Sequence, residues 1–174
     1  MKIAISGPMG SGKSTIANMI KKNDYNIYSF GQKIKDIAYE LFNMGPIKDR
    51  SLLINIADKM REIDPDVWAK HIVKETSNKE HCIIDDLRFQ NELDLLEQND
   101  EWIFFVLTID ENKRLDRLKK LYPNNYVDHI KNMNHLSEQG NLNFSNKRRV
   151  LYLNSDDSLD NIKFNIEYFI NKFK

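Results

Sequence analysis

The sequence is poor in cysteine, and Cys82 is the only one in 174 residues. An intrachain disulfide needs two cysteines, and the common structural zinc sites need several. The histidines His71, His81 and His129 do not have the spacing of metal ligands. We therefore expect neither a disulfide framework nor a cysteine-based metal site, which is typical of a protein from a reducing cytoplasm.

The sequence also lacks an excess of one charge and any long apolar run. Its 26 Lys and Arg residues are balanced by 26 Asp and Glu residues, so no net field attracts a polyanion. The longest apolar run, residues 102–109, is far short of the roughly 20 residues that span a bilayer, and the first residues lack a signal-peptide core. We expect a cytoplasmic protein that binds neither nucleic-acid polymers nor membranes.

What the sequence does contain is a regular alternation of short apolar segments and amphipathic segments. This alternation predicts an α/β fold with a parallel sheet of about five strands and helices on both faces. The length suits a single domain covering residues 1–174. The predicted strands are residues 2–6, 27–30, 82–84, 102–109 and 150–153, and the predicted helices include residues 32–42, 52–63, 111–121 and 159–173, with a further helix beginning at Asp64-Pro65.

A glycine-rich loop separates the first predicted strand from the first predicted helix. Residues 7–15 match the pattern G-x-x-x-x-G-K-[ST], whose backbone amides surround phosphates without obstructing side chains. Lys13 is expected to reach the terminal phosphates and Ser14 to bind Mg²⁺. The ATP-binding residues predicted from this pattern are Gly7, Met9, Gly10, Ser11, Gly12, Lys13, Ser14 and Thr15. An ordinary glycine-rich turn is the structural alternative.

Among phosphate-loop proteins, a small kinase fits the sequence best. The Asn-Lys-x-Asp motif of switch GTPases is missing, and 174 residues leave little room for an ATP-driven motor. A kinase needs a carboxylate at a strand end, and Asp85 and Asp86 follow the third predicted strand. One of the two is expected to organise Mg²⁺ and the other to cap the helix that begins near Phe89. Arg88 follows within reach and is a candidate for the transferring phosphoryl group.

The helix at residues 111–121 supplies further cations. Arg114 and Arg117 lie three residues apart and share a helix face. This pattern is common on solvated helices, but after a phosphate loop and the fourth strand it predicts a lid over residues 111–140. We expect both arginines to stabilise charge on the transferring group.

Three more strings accompany the phosphate loop. They are Arg-x-x-Asp-Pro-x-x-Trp at residues 61–68, Asp-x-Arg-x-x-Asn-Glu at residues 86–92, and His-Leu-Ser-Glu at residues 135–138. Together with the loop they resemble the deoxynucleoside monophosphate kinases of bacteriophages and large DNA viruses, over nearly the whole chain.

The resemblance implies an adenylate-kinase-like fold and transfer of the γ-phosphoryl group of ATP to a deoxynucleoside monophosphate. It also implies that Asp86 and Arg88 occupy the matched positions, with Asp86 joining Ser14 at Mg²⁺. His135 and Glu138 match positions that hydrogen-bond the acceptor base, although a local turn explains them equally well. Animal-type phosphomevalonate kinase is similar in outline.

The acceptor is expected in the helical region of residues 31–78. Lys33 and Arg61 are candidates for its phosphate, unless they simply lie on an exposed helix face. Trp68 is the candidate for a flat wall against a nucleotide base, with Phe30, Tyr39 and Phe42 as further aromatic residues. Each of these rings is equally typical of a core.

Two other functions remain open at this stage. One is a phosphomevalonate-kinase-like or other small-molecule kinase, and the other is a non-catalytic module that responds to nucleotide binding. A homodimer is also open, and a viral protein would act in the host cytoplasm.

Overall fold

A computed structural model of the chain describes residues 1–21, 24–124, 126–131 and 142–173. The strands are β1 (Lys2–Ser6), β2 (Asn26–Tyr28), β3 (Cys82–Leu87), β4 (Trp102–Thr108) and β5 (Val150–Asn154). The helices are α1 (Lys13–Lys21), α2 (Phe30–Phe42), α3 (Arg50–Ile63), α4 (Val67–Thr76), α5 (Gln90–Glu97), α6 (Glu111–Leu121), α7 (Tyr126–Lys131) and α8 (Leu159–Asn171), and a 3₁₀ turn covers Lys147–Arg149.

The strands form one parallel sheet in the order β2-β3-β1-β4-β5. Strand β1 lies in the centre, between β3 and β4, and all five of its residues are buried. The connection from β1 to β2 packs through α1 on one face of the sheet, and the connection from β3 to β4 packs through α5 on the other, so a crevice opens at the carboxyl end of β1. The predicted three-layer α/β fold is confirmed.

Alternation along the strands divides the buried side chains into two cores. Ile3 and Ile5 of β1 face a cluster with Phe105 and the apolar sides of α1 and α8. Ala4 faces the opposite cluster, which contains Phe104 and the buried residues of α2, α3, α4 and α5. Because successive strand residues point to opposite faces, a fully buried strand such as β1 contributes side chains to both cores.

Helices α2, α3 and α4 each begin two residues from the predicted start, and local contacts explain the starts of α2 and α4. Helix α2 begins at Phe30, which the sequence placed in the second strand, because the Asp86 carboxylate accepts the backbone N–H of Phe30 and Gly31. Helix α4 begins at Val67 rather than at Pro65. Asp64 ends α3, accepts the N–H of Asp66 at 3.0 Å, and pairs with Lys70.

Trp68 lies in the core, and its indole does not form a wall for a ligand as the sequence analysis expected. The residue is only 3% exposed, and its Nε1 donates a hydrogen bond to the carbonyl oxygen of Ala57 on α3 at 3.2 Å. It thereby joins the first turn of α4 to the middle of α3. A buried indole normally finds such a partner for its N–H, so the structural alternative accounts for this tryptophan.

No helix among the described residues has both the length and the apolar character needed to cross a bilayer.

Replacing Trp68 with Phe (W68F) is expected to lower the free energy of unfolding by about 1–2 kcal/mol, because the hydrogen bond to Ala57 is lost and a small cavity remains. Urea denaturation measures this change. Substrate affinities should stay at the wild-type level, since the indole does not line a cavity. Unchanged stability with a large loss of substrate affinity would instead place Trp68 in a binding site.

Candidate functional site

The loop between β1 and α1 has the backbone shape of a phosphate-binding nest. Gly12 has a φ of +90°, which is strained for any side chain, and Gly7 approaches β4 so closely that a Cβ would lie 2.8 Å from the Leu107 carbonyl oxygen. The N–H groups of Thr15 and Ile16 bond to the Gly12 carbonyl as α1 begins. The amides that precede them lie at the mouth of the loop, where the helix dipole favours an anion.

The side chain of Lys13 lies across this loop. Its Nζ donates hydrogen bonds to the carbonyl oxygens of Gly7 at 2.6 Å and Pro8 at 2.9 Å. A phosphate entering the loop would attract this ammonium more strongly than neutral carbonyls do, because charge-assisted hydrogen bonds are stronger. Lys13 is therefore held beside the expected phosphate position before any ligand binds.

A cavity of about 950 Å³ opens from the loop toward the helices on the other side of the crevice. Its lining includes Met9, Gly10, Ser11, Gly12, Lys13, Ser14 and Thr15 of the phosphate loop, whereas Gly7 lies behind them. This volume lies at the upper end of the roughly 300–1,000 Å³ that is typical of ligand-binding pockets.

Asp85 and Asp86, at the end of β3, have different partners. Asp86 accepts hydrogen bonds from the Ser29 hydroxyl at 2.7 Å and from the N–H groups of Phe30 and Gly31 at 2.8 and 2.9 Å. Asp86 therefore caps α2. The sequence analysis expected one of the two aspartates to cap a helix, but at Phe89, where α5 begins, rather than at α2.

Asp85 is the carboxylate that faces the phosphate loop. The Ser14 hydroxyl donates to its Oδ2 at 3.5 Å. Burial and the neighbouring Asp86 raise the pKa of Asp85, while Lys35 and Lys13 act in the opposite direction. Carboxylate and hydroxyl oxygens are ligands that Mg²⁺ accepts, so Asp85 and Ser14 fit this ion. The geometry favours Asp85 over Asp86, the residue that the resemblance implies.

Arg88 lines the cavity just after these aspartates. It lies in the turn between β3 and α5, where its backbone N–H donates to the Glu92 carboxylate at 3.0 Å. Its position, on the strand end next to the phosphate loop, agrees with the predicted role at the transferring phosphoryl group.

The two arginines of α6 lie on different sides of the phosphate loop. Arg114 is buried behind the loop, where its Nε donates to the Met9 carbonyl oxygen at 2.9 Å, and it does not line the cavity. Arg117 lines the cavity and donates to the Ser155 carbonyl oxygen at 2.8 Å, while the Ser155 hydroxyl donates to the Ser11 carbonyl oxygen at 2.6 Å. The expectation that both arginines reach from a lid is therefore wrong for Arg114, which supports the loop backbone.

Cations and apolar residues collect at the other end of the cavity. The cations there are Lys35, Lys48, Arg50, Arg61 and Arg88, and the apolar lining includes Phe30, Ile34, Leu53, Ile54, Ala57 and Phe89. Arg61, a predicted residue of the acceptor site, thus lies in the cavity wall. Of the other predicted aromatic residues, Tyr39 and Phe42 are exposed and lie outside this lining.

Lys33 lies elsewhere. It lines a separate, smaller cavity of about 350 Å³ on the β2 side of α2, with His71 and Glu75 of α4. The prediction that Lys33 contacts the acceptor phosphate is therefore not supported by its position. His135 and Glu138 lie outside the described residues.

Two cations of the cavity were not predicted from the sequence: Lys48, between α2 and α3, and Arg50, the first residue of α3. Burial is the main cause of the lowered pKa of Lys48, and the nearby cations Lys35 and Arg50 lower it further, while Asp85 raises it. An anion beside Lys48 would relieve this repulsion. No spacing motif marks these residues, because a loop after Gly45-Pro46 brings them to the cavity.

The comparisons with known proteins agree with this geometry. A family model described as an AAA domain matches residues 3–139. No curated protein sequence matches the chain.

Several solved structures share the fold at low sequence identity. A gluconokinase from Sinorhizobium meliloti 1021 is 15% identical, with a TM-score of 0.60 over 99% of this chain and 92% of its own. A sugar kinase from Janibacter sp. HTCC2649 is 14% identical, with a TM-score of 0.61 over 98% and 94%. A shikimate kinase from Aquifex aeolicus is 16% identical, with a TM-score of 0.53 over 99% and 97%.

The matched region extends from β1 across the phosphate loop, the aspartates of β3 and helix α6. Most of the cavity lining lies in this region, and the rest comes from β5, the loop after it and α8. The chain therefore belongs to the family whose model is described as an AAA domain, and it carries a phosphate-binding loop in a three-layer α/β fold.

Proposed function

We propose that this chain is an ATP- and Mg²⁺-dependent kinase of deoxynucleoside monophosphates, of the kind that bacteriophages and large DNA viruses encode. The observation that carries the proposal is that the cavity of about 950 Å³ contains both the phosphate loop and a cluster of cations beside an apolar and aromatic wall. In this assignment ATP occupies the loop end and the monophosphate occupies the end with Lys35, Lys48 and Arg61. The diphosphate product would supply DNA synthesis in the cytoplasm.

The reaction joins two anions. An oxygen of the acceptor phosphate attacks the γ-phosphorus of ATP, the bond from that phosphorus to the β,γ-bridging oxygen breaks, and ADP leaves with the electron pair. Arg88 lines the cavity from the turn after β3, where it would offset charge on the transferring group. When bound, Mg²⁺ would neutralise charge on the ATP phosphates, and Ser14 and Asp85 are the residues that would hold it.

The carboxylates of the acceptor end support a phosphate acceptor over a sugar hydroxyl. A hydroxyl needs a base, whereas a phosphate with a second pKa of about 6 is already largely ionised at neutral pH. Three of the carboxylates that line this end are engaged: Asp58 by Arg61, Asp86 by the α2 cap, and Glu92 by two backbone N–H groups. They are therefore poorly suited to accept a substrate proton.

The wall of the acceptor end supports a nucleotide over a smaller phosphate ester. Phe89 contributes an aromatic ring, and Leu53 and Ile54 contribute apolar area from α3, while Phe30 is also in the lining but largely buried. A nucleobase has a flat face that gains from such contacts, while a mevalonate phosphate has no ring to stack.

The proposal is tested by a coupled assay with Mg²⁺-ATP and a panel of acceptors. The panel contains the four deoxynucleoside monophosphates, their ribose counterparts, phosphomevalonate, gluconate and shikimate. We expect ADP formation with one or more of the deoxynucleoside monophosphates. Turnover of phosphomevalonate, gluconate or shikimate alone would contradict the proposal, and binding of ATP without any turnover would favour a non-catalytic module.

Replacing Arg88 with Ala is expected to lower kcat roughly 10³-fold while leaving ATP affinity nearly unchanged, because the guanidinium acts on charge that develops in the transition state. Steady-state kinetics and calorimetry with Mg²⁺-ATP measure the two effects. Arg148 lies in the exposed 3₁₀ turn, so R148A is the matched control and should behave as wild type. Wild-type turnover by R88A would show that Arg88 does not contact the transferring group.

The variants D85N and D86N separate the two aspartates. D85N should lower kcat on the order of 10²-fold and raise the Mg²⁺ concentration needed for half-maximal rate, because the amide is a weaker ligand than the carboxylate. D86N should lower the free energy of unfolding by about 1 kcal/mol, because it weakens the cap of α2. Mg²⁺ titrations of the rate and thermal unfolding distinguish these effects, and a Mg²⁺ defect confined to D86N would reverse the assignment.

A further inference from the structure

Two of the sequence strings that carry the family resemblance contact each other in the fold. The Asn91 side-chain amide donates to the Pro65 carbonyl oxygen at 3.0 Å and to the Asp66 carboxylate at 2.9 Å. The Arg61 guanidinium lies over the Phe89 ring, 4.2 Å from its centroid. The helices α3 and α4 are thus joined to the turn that carries Arg88.

Glu92 lies at the centre of this junction. Its side chain is 3% exposed, and its Oε2 accepts the N–H groups of Arg88 and Phe89, each at 3.0 Å. Its Oε1 lies 3.8 Å from Nη2 of Arg61, whose Nη1 also pairs with Asp58 at 3.1 Å. One carboxylate therefore contacts both the turn before α5 and the guanidinium on α3.

The cap of α5 alone does not explain a glutamate at this position. A neutral side-chain oxygen can accept backbone N–H groups at a helix start, and burying a carboxylate carries a large desolvation cost. What the charge adds is attraction to Arg61, which lines the same cavity as Arg88. The glutamate thus connects two cations that belong to different elements.

We propose that Glu92 is a positioning residue for the acceptor. Its carboxylate fixes the turn that carries Arg88 and, through Arg61, the cavity wall formed by α3. The guanidinium groups of Arg61 and Arg88 therefore keep a constant distance from each other across the cavity. The identity of the acceptor rests on the proposed function, but the junction itself does not. In this proposal Arg61 helps to fix α3 relative to the turn that carries Arg88, in addition to any contact that it makes with the ligand.

The protonation state of Glu92 makes this proposal testable. Burial raises the pKa of Glu92 to about 7, with Asp86 adding to the increase, while the N–H groups of Arg88 and Phe89 and the charge of Arg61 lower it. The other charged groups near the junction are Asp58, which pairs with Arg61, and Asp66, which holds Asn91. Glu92 is therefore largely charged at pH 8 and largely neutral at pH 6.

Stability and positioning should respond to pH in opposite directions. The pKa of Glu92 in the folded state is higher than the ordinary value of 4.5, so ionisation of this group opposes folding. The stability that protonated Glu92 contributes is therefore lost as pH rises through about 7. The attraction to Arg61 increases over the same interval. A residue that served stability alone would not show this opposition.

The first test is the variant E92Q, assayed from pH 6 to pH 8. Its amide oxygen can still accept the two N–H groups, but it cannot attract Arg61 through charge. We expect the acceptor KM to rise roughly ten- to a hundredfold at pH 8, with little change in the KM for ATP, since small misplacement of binding groups has effects of this size. E92Q should be at least as stable as wild type at pH 8 in thermal unfolding, which separates the defect from misfolding.

The pH profile and a matched control complete this test. The wild-type acceptor KM should fall between pH 6 and pH 8 by more than that of E92Q, because ionisation of the substrates is common to both proteins. Asp94 is an exposed carboxylate on the same helix that bonds only Gln90 among the contacts described, so D94N should keep the wild-type profile. Equal pH profiles for wild type and E92Q would overturn the proposal.

A double-mutant cycle with R61Q tests the partner. If Glu92 acts through Arg61, the variant R61Q/E92Q should show an acceptor KM close to that of R61Q alone, because the second change removes nothing further. Effects that multiply would show that the two residues act independently and would overturn the proposed link.

A spectroscopic measurement tests the role of Glu92 independently of which acceptor the protein phosphorylates. If wild type phosphorylates no monophosphate, the proposed function fails, and the junction can still be tested by NMR of the Arg61 Nε–H group without any acceptor. That signal should titrate between pH 6 and pH 8 in wild type and stay constant in E92Q. A signal that titrates equally in both proteins would overturn the assignment of Glu92.

Discussion

The parallel pairing of β3, β1 and β4 is the constraint on which the site depends. Parallel strands end at the same edge of a sheet, so the loop after β1 and the aspartates near the end of β3 meet there although they lie about 70 residues apart in the chain. The loop exposes backbone amides to an anion, and Asp85 adds a carboxylate beside Ser14. Neither group would bring Mg²⁺ and a phosphate together in isolation, because each supplies only one side of the site.

Most carboxylates that line the cavity bond neighbouring groups of the protein, whereas the cations that line it can attract an anionic ligand. Asp86 holds the start of α2, and Glu92 holds the start of α5. Behind the phosphate loop, Arg114 bonds the backbone of Met9, while Arg117 joins the cavity wall to the loop after β5. In the proposed phosphoryl transfer, the groups that stabilise developing charge need fixed positions before the substrates arrive, since reorganising dipoles during reaction is costly. The hydrogen bonds from these side chains to the backbone provide this rigidity.

The sequence predicted correctly those features that neighbouring residues in the chain determine, and it failed for features that depend on distant residues. The phosphate loop was predictable because its consecutive residues specify their own backbone shape and lie between a strand and a helix. The sheet was predictable because β1 and β4 contain uninterrupted apolar runs, Ile3 to Ile5 and Trp102 to Leu107, as buried parallel strands do. Trp68 was assigned to a ligand wall, but a tryptophan at that helical position looks the same whether it faces a ligand or the core. Lys48 escaped notice because nothing in its local sequence differs from an exposed loop lysine.

The sequence by itself therefore determined the fold class, the phosphate loop and the pair of aspartates at the end of β3, because these depend on local periodicity and on residues that are neighbours in the chain. Only the tertiary structure decided which aspartate faces Ser14, that Arg114 supports the loop from behind, and that Arg61 meets Glu92 across α3 and α5. The physical reason is that the direction of a side chain depends on how helices pack over the sheet, and packing is set by contacts between residues that are distant in sequence.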